Sequence, residues 1–146
     1  MLIYLDMCCV QRPLDDRTQV RIALEAEAVL AILALCQSGK ATLVVSDALE
    51  FETDRNPDPG RKAHALGVLA KAGQSVPLSA AVEDQARQLK EAGVKPLDAL
   101  HLAFAIGARA DYFCTCDDRF AKRARDLVTP PPKVVNPLEF IAELEP

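Results

Sequence analysis

Four carboxylates stand where a surface role explains them poorly. Asp6 follows the apolar run Leu2-Ile3-Tyr4-Leu5, and Asp117 comes just after Tyr112-Phe113-Cys114-Thr115. Asp98 lies in Pro96-Leu97-Asp98-Ala99-Leu100-His101-Leu102-Ala103-Phe104-Ala105-Ile106-Gly107, where only Asp98 and His101 are polar between Leu97 and Ile106. A helix that is apolar all round is buried all round. Pro96 suits its first position, which puts Asp98 in the first turn. An exposed first-turn acid gains less than ~1 kcal/mol from the helix dipole. A buried, unpaired one costs several kcal/mol or loses its charge. Asp98 therefore wants a cation.

Glu52 is the fourth. If Ser46 to Asp54 forms a short helix, a wheel at ~100° per residue places Phe51, Ala48, Glu52 and Leu49 in one arc, with Asp47, Glu50 and Asp54 opposite. Glu52 then faces inward and Glu50 faces solvent. Like charges brought together raise one another's pKa unless a cation neutralises them. Oxygen-only ligands suit Mg²⁺ or Mn²⁺ and not zinc or copper. A carboxylate cluster holding one or two hard cations is equipped for phosphodiester hydrolysis, one ion activating the attacking water and a second stabilising the leaving oxygen.

The elements that must position these acids alternate along the chain. Strands are expected at Leu2–Leu5, Thr42–Val45, Tyr112–Thr115 and Lys133–Val135, with a weaker one at Gln74–Val76. A helix is expected from about Thr18 to Ser38, with Ile22, Ala26, Val29, Leu33 and Cys36 on one face and Gly39 as its stop. Another runs from a Ser79 cap to Ala92, with Val82, Ala86 and Leu89 on one face and Gly93 ending it, and Pro137 opens a last one. Arg55-Asn56-Pro57-Asp58-Pro59-Gly60 and Thr129-Pro130-Pro131-Pro132 read as loops. The expected class is α/β, a mostly parallel sheet with helices on both sides, in one domain over 1–146. Ligands bind such sheets beyond the carboxyl ends of the strands. Asp6 and Asp117 stand there.

Composition narrows the class. The chain has 146 residues, half of them apolar, and 17 Lys and Arg against 21 Asp and Glu give a net charge of −4. That balance argues against a membrane-surface or DNA-coating protein. No apolar stretch approaches the ~18 residues of a membrane span, and the acid at position 6 comes too early for a signal peptide. A cytoplasmic location is expected. The five cysteines, with Cys8-Cys9 adjacent and Cys114 and Cys116 spaced C-x-C, read as reduced core residues, and a zinc site is poorly supported. The six glycines are never closer than six residues, which excludes G-x-G-x-x-G and the P-loop.

The run Ile3-Tyr4-Leu5-Asp6, Ser46 followed by Glu52, Pro96-Leu97-Asp98-Ala99-Leu100-His101-Leu102-Ala103, Thr115-Cys116-Asp117 and Val135-Asn136-Pro137 resembles the PIN domain family, which includes the VapC-type toxin nucleases. The resemblance implies a three-layer α/β/α sandwich and Mg²⁺- or Mn²⁺-dependent endoribonuclease activity. By position, Asp6, Glu52, Asp98 and Asp117 look like the metal-site quartet, and Thr115 looks like the hydroxyl that supports the last acid or a water at the metal. The resemblance further implies an RNA substrate, a homodimer and a small antitoxin partner. One departure is plain: many relatives carry a small hydroxyl residue and then Asn after the first acid, where this chain has Met7 and Cys8. A hydrogen bond supporting that acid is then expected to be missing, with weaker metal binding as the consequence.

Other polar residues have two readings each. His101, about 60° around the helix from Asp98, is favoured as a hydrogen-bonded core histidine over a site residue. His64 reads as a surface residue, and Asp118 as the N-cap of the helix through Arg125 in preference to a ligand in place of Asp117. Arg119, Lys122 and Arg123 share a face of that helix beside Asp117, fit to hold RNA phosphates or simply solvated. Arg55, Arg61 and Lys62 flank the Glu52 helix and invite the same pair of readings. Two rival functions stand beside the nuclease. A PIN-fold module that binds RNA or protein without turnover is disfavoured because all four acids are present. A phosphatase with an aspartyl nucleophile at Asp6 fails because it needs a second Asp where Cys8 stands.

Overall fold

The computed structural model describes residues 1–144. Five parallel strands, β1 (Leu2–Leu5), β2 (Thr42–Ser46), β3 (Gln74–Val76), β4 (Tyr112–Cys114) and β5 (Lys133–Val135), form one sheet in the order β3-β2-β1-β4-β5. The first strand is central, pairing Ile3 with Leu43 on one side and with Tyr112 on the other. Its residues Ile3, Tyr4 and Leu5 are fully buried, which is why this strand can be apolar without alternation. Chain order reverses between β1 and β4, so a crevice opens beyond their carboxyl ends.

Among the described residues there are eight α-helices: α1 (Met7–Gln11), α2 (Val20–Gln37), α3 (Asp47–Arg55), α4 (Pro59–Leu69), α5 (Ala80–Glu91), α6 (Pro96–Gly107), α7 (Asp118–Leu127) and α8 (Pro137–Leu144). The long α2 packs on α8, and α5 packs along α6, giving the expected α/β/α layering. The capping signals hold in the backbone: the Ser79 side chain accepts from Val82 N–H, and Gly39 and Gly93 take φ of 81° and 103°, where a side chain would strain the turn.

Two helices depart from expectation. Pro59 and Gly60 open α4 and do not extend the preceding loop, because Asp58 caps that helix by accepting from Gly60 N–H and Arg61 N–H, with Pro59 at its first position. The five-residue α1 follows directly on Asp6, too short to leave a periodic signal. On α3 the buried face is Ala48, Leu49 and Thr53, while Phe51 is exposed and lies under the Arg55 guanidinium at 4.6 Å. Thr53 can be buried because its hydroxyl donates to Leu49 C=O within the helix.

Candidate metal centre and its basic flank

Asp6 ends β1 and caps α1: its carboxylate accepts from Met7 N–H at 2.8 Å and from the Thr115 hydroxyl at 3.0 Å. The Cys8 thiol lies 3.5 Å from the same oxygen that Thr115 reaches. The expected gap beside the first acid is therefore filled by a weak sulfur donor. Asp6 is only 6 % exposed, and burial, then the Cys8 and Glu52 charges, push its carboxyl up to about 7 against His101 and Thr115.

Glu52 leaves α3, whose start is fixed by the Ser46 hydroxyl accepting from Leu49 N–H. One Glu52 oxygen meets His101 Nε2, and His101 Nδ1 meets the Tyr4 hydroxyl at 2.6 Å. That hydroxyl lies 2.6 Å from Ser46 Oγ, so a buried chain links Ser46, Tyr4, His101 and Glu52. With Tyr4 donating to Nδ1, the other ring nitrogen carries the proton and donates to Glu52. Burial pulls the imidazole pKa down, but the Glu52 hydrogen bond and the charges of Asp6, Glu52 and Asp98 outweigh it and hold it above the ordinary value. His101 thus fits both readings, a satisfied core histidine that also stands 4.0 Å from Asp6. Tyr4 had no sequence signal beyond its place in an apolar strand.

Asp98 occupies the first turn of α6, half-buried and not wholly enclosed. Burial, then the charges of Asp6 and Asp117, push it up to about 6. Asp117 caps α7, accepting from Phe120 N–H at 3.1 Å, and its own N–H donates to Thr115 Oγ1 at 3.2 Å. Asp118 is consequently not the cap. It sits inside the first turn and forms a two-pronged ion pair with Arg21 at 2.5 and 2.6 Å. Thr115 supports the first acid's carboxylate and the last acid's backbone, a wider role than expected.

Asp6, Glu52, Asp98 and Asp117 all line one open cleft of about 330 Å³. Asp6 and Glu52 bring carboxylate oxygens within 4.8 Å of one another and of a nitrogen of His101, which is fully buried behind the cleft, while Asp98 and Asp117 line the cleft outside that tight trio. Among the described residues no Lys or Arg nitrogen lies within 4.0 Å of these four carboxylates. A second cavity of about 180 Å³ adjoins it, sharing Asp98 and Asp117 and adding Lys95, Arg119 and Arg123. Lys122 is exposed but does not line that cavity. Lys95 was missed because it precedes α6 in sequence, on a different element from the basic helix. The other candidate cations have partners: Arg61 pairs with Asp15, and Lys62 reaches Asp54 C=O. His64 is half-buried and bonded to Val10 C=O at 2.8 Å, contrary to its expected surface placement.

The PIN domain profile matches residues 3–126. A chain of the crystal structure of VapBC2 from Rickettsia felis, bound to a DNA fragment from their promoter, superposes with a TM-score of 0.54 at 14 % identity. The alignment covers 93 % of this chain and 97 % of that one. No curated protein sequence matches the chain. No helix among the described residues is long and apolar enough to cross a membrane.

Proposed function

The chain belongs to the PIN domain family, and from that premise we propose that it is a Mg²⁺- or Mn²⁺-dependent endoribonuclease, acting as one domain over 1–146. The observation that carries this reading is the meeting of four carboxylates, from four separate elements, in one cleft where, among the described residues, no lysine or arginine nitrogen comes within 4.0 Å of them. Two of them, Asp6 and Asp98, have pKa values raised to about 7 and about 6, the state of acids waiting for a cation. Hard oxygen donors of this kind fit Mg²⁺ or Mn²⁺.

Asp6, Glu52, Asp98 and Asp117 would hold the ion. When bound, it supplies Lewis acidity at the phosphodiester and lowers the pKa of the attacking water. The remaining work belongs to the chain. Thr115 fixes the Asp6 carboxylate, and Tyr4 through His101 fixes that of Glu52, so that neither swings when RNA arrives. Arg119, Arg123 and Lys95 line the neighbouring cavity and offer charge to the phosphates on either side of the scissile bond, with Lys122 farther along the strand. A small antitoxin protein and a homodimer complete the proposal. Support for the first is the similarity to a chain of the Rickettsia felis VapBC2 structure.

The test is cleavage of a mixed structured RNA panel in Mg²⁺, in Mn²⁺ and in chelator, beside Asp98→Asn. Metal-dependent cutting should fall in the variant by more than the roughly 10–100-fold that loss of a merely supporting residue costs. Cutting that persists in chelator or in the variant sinks the reading. The non-catalytic alternative rests on the weak thiol contact that supports Asp6. It predicts no heat on Mn²⁺ titration.

A further inference from the structure

Because β1 and β4 are parallel neighbours, the residues that follow them emerge at the same end of the sheet. Cys8 and Cys9 follow the first strand, Cys116 follows the fourth, and none of the three is in a disulfide. Their sulfurs lie within 4.8 Å of one another, with Cys9 and Cys116 at 3.5 Å. Two further groups turn toward this cluster. Cys116 N–H points at the Cys8 sulfur at 3.3 Å, and the Arg12 guanidinium, paired with Asp15 at 2.9 Å and Glu25 at 3.3 Å, lies beside Cys116. Arg12 Nε is buried without a hydrogen-bond partner, a donor that a thiolate could satisfy.

We propose that Cys8, Cys9 and Cys116 form a second metal site, for a soft, thiophilic cation, beside the carboxylate centre and adjoining it through Cys8. A metal–sulfur bond of about 2.3 Å sets sulfur–sulfur separations of roughly 3.8–4.0 Å around one ion. The three thiols need only small rotamer adjustments to reach that spacing. Three sulfurs without a histidine select a soft ion of the Cu(I) or Zn(II) kind and reject Mg²⁺. On binding, each thiol gives its proton to solvent, and the cation itself offsets most of the resulting negative charge, with a lesser share from Arg12, whose guanidinium also pairs with Asp15 and Glu25. The site reaches the carboxylates through Cys8, whose thiol also lies beside Asp6 and 3.4 Å from the Thr115 hydroxyl. A soft ion held there removes the thiol proton from Asp6, so its occupancy opposes the arrangement that prepares Asp6 for a hard cation. The inference does not rest on the nuclease reading and survives its failure.

The experiment is a Cd²⁺ titration of the full, reduced, metal-free chain in excess Mg²⁺, followed by thiolate-to-cadmium charge-transfer absorption. The expected result is a band saturating at one equivalent, unchanged in Cys36→Ser. Cys8→Ser and Cys9→Ser should each remove one thiolate's share of the amplitude and weaken binding about tenfold or more. Cys9 is fully buried and its variant can misfold, whereas Cys8 is half-buried and its variant keeps the test open. No band in the parent protein, a band that Cys8→Ser leaves intact, or one that needs Cys36 overturns the proposal.

Discussion

Glu52 takes its direction from a hydroxyl on the central strand. Tyr4 sits with no exposure between Ser46 and His101, and His101 in turn meets the Glu52 carboxylate. Removing that hydroxyl leaves a buried imidazole nitrogen without its partner, at a cost of about 1–3 kcal/mol. Tyr4→Phe should therefore lower stability in chemical denaturation by that amount. It should also weaken Mn²⁺ binding about tenfold, because Glu52 loses the support behind its histidine. A variant that loses stability but binds Mn²⁺ as the parent does would show that Tyr4 only fills the core. Asp6, Asp98 and Asp117 could be singled out from their neighbours, since each follows or interrupts an apolar run, whereas Glu52 needed a helical wheel. Tyr4 could not, because an aromatic in a buried strand looks the same whether its hydroxyl is bonded or not.

At the scale of elements, strong local chemistry was readable and compact local chemistry was not. The Ser79 cap and Gly93 stop define α5, and Pro96 opens α6, so both helices follow from the sequence. Asp58 and Pro59 carry the same capping information for α4, but the cluster of Pro, Asn and Gly around them also describes a loop. The inner face of α3 turned toward Thr53 because a hydroxyl bonded within its own helix can be buried, which a wheel of apolar residues does not register. Helix α7 shows what position adds to composition. Its cap is Asp117, so the helix starts at the acid cluster, and Arg119 and Arg123 fall beside Asp98 in the flanking cavity. Arg123 is also tied to Ala92 C=O at 3.1 Å, which holds it at the cavity edge. Replacing Arg119, Lys122 and Arg123 by Ala should weaken RNA binding and flatten its salt dependence. The log–log slope should fall by about 0.7 for each phosphate that is no longer neutralised. The main effect belongs to Arg119 and Arg123. An unchanged salt slope in the triple variant would mean that this face is only solvated.

Over the whole molecule, the acid cluster sets a dependence of stability on pH that a cation should reverse. Asp6 and Asp98 have folded pKa values of about 7 and about 6, above the 3.8 of an exposed aspartate. Between those limits the folded state binds more protons than the unfolded chain, so stability falls as pH rises. His101 acts in the same direction: its raised folded pKa contributes stability at low pH that is lost as pH climbs through that value. Asp6 dominates because it is the most buried of the four cleft acids, and its share is of the order of a few kcal/mol. Asp98 adds less, since its half-exposed carboxylate is screened by water. The metal-free protein should accordingly lose melting temperature steadily from pH 4 to pH 7. Mn²⁺ at about 100 times its Kd adds roughly 2.7 kcal/mol, and only where the carboxylates are ionised, so it should flatten or invert the profile. Asp6→Asn removes the largest buried charge. Without metal it should be more stable than the parent at pH 8, and it should lose most of the Mn²⁺ response. If the parent instead gains stability with pH in chelator, Asp6 is already neutralised from within the chain, and the case for a cation at this cleft falls with it.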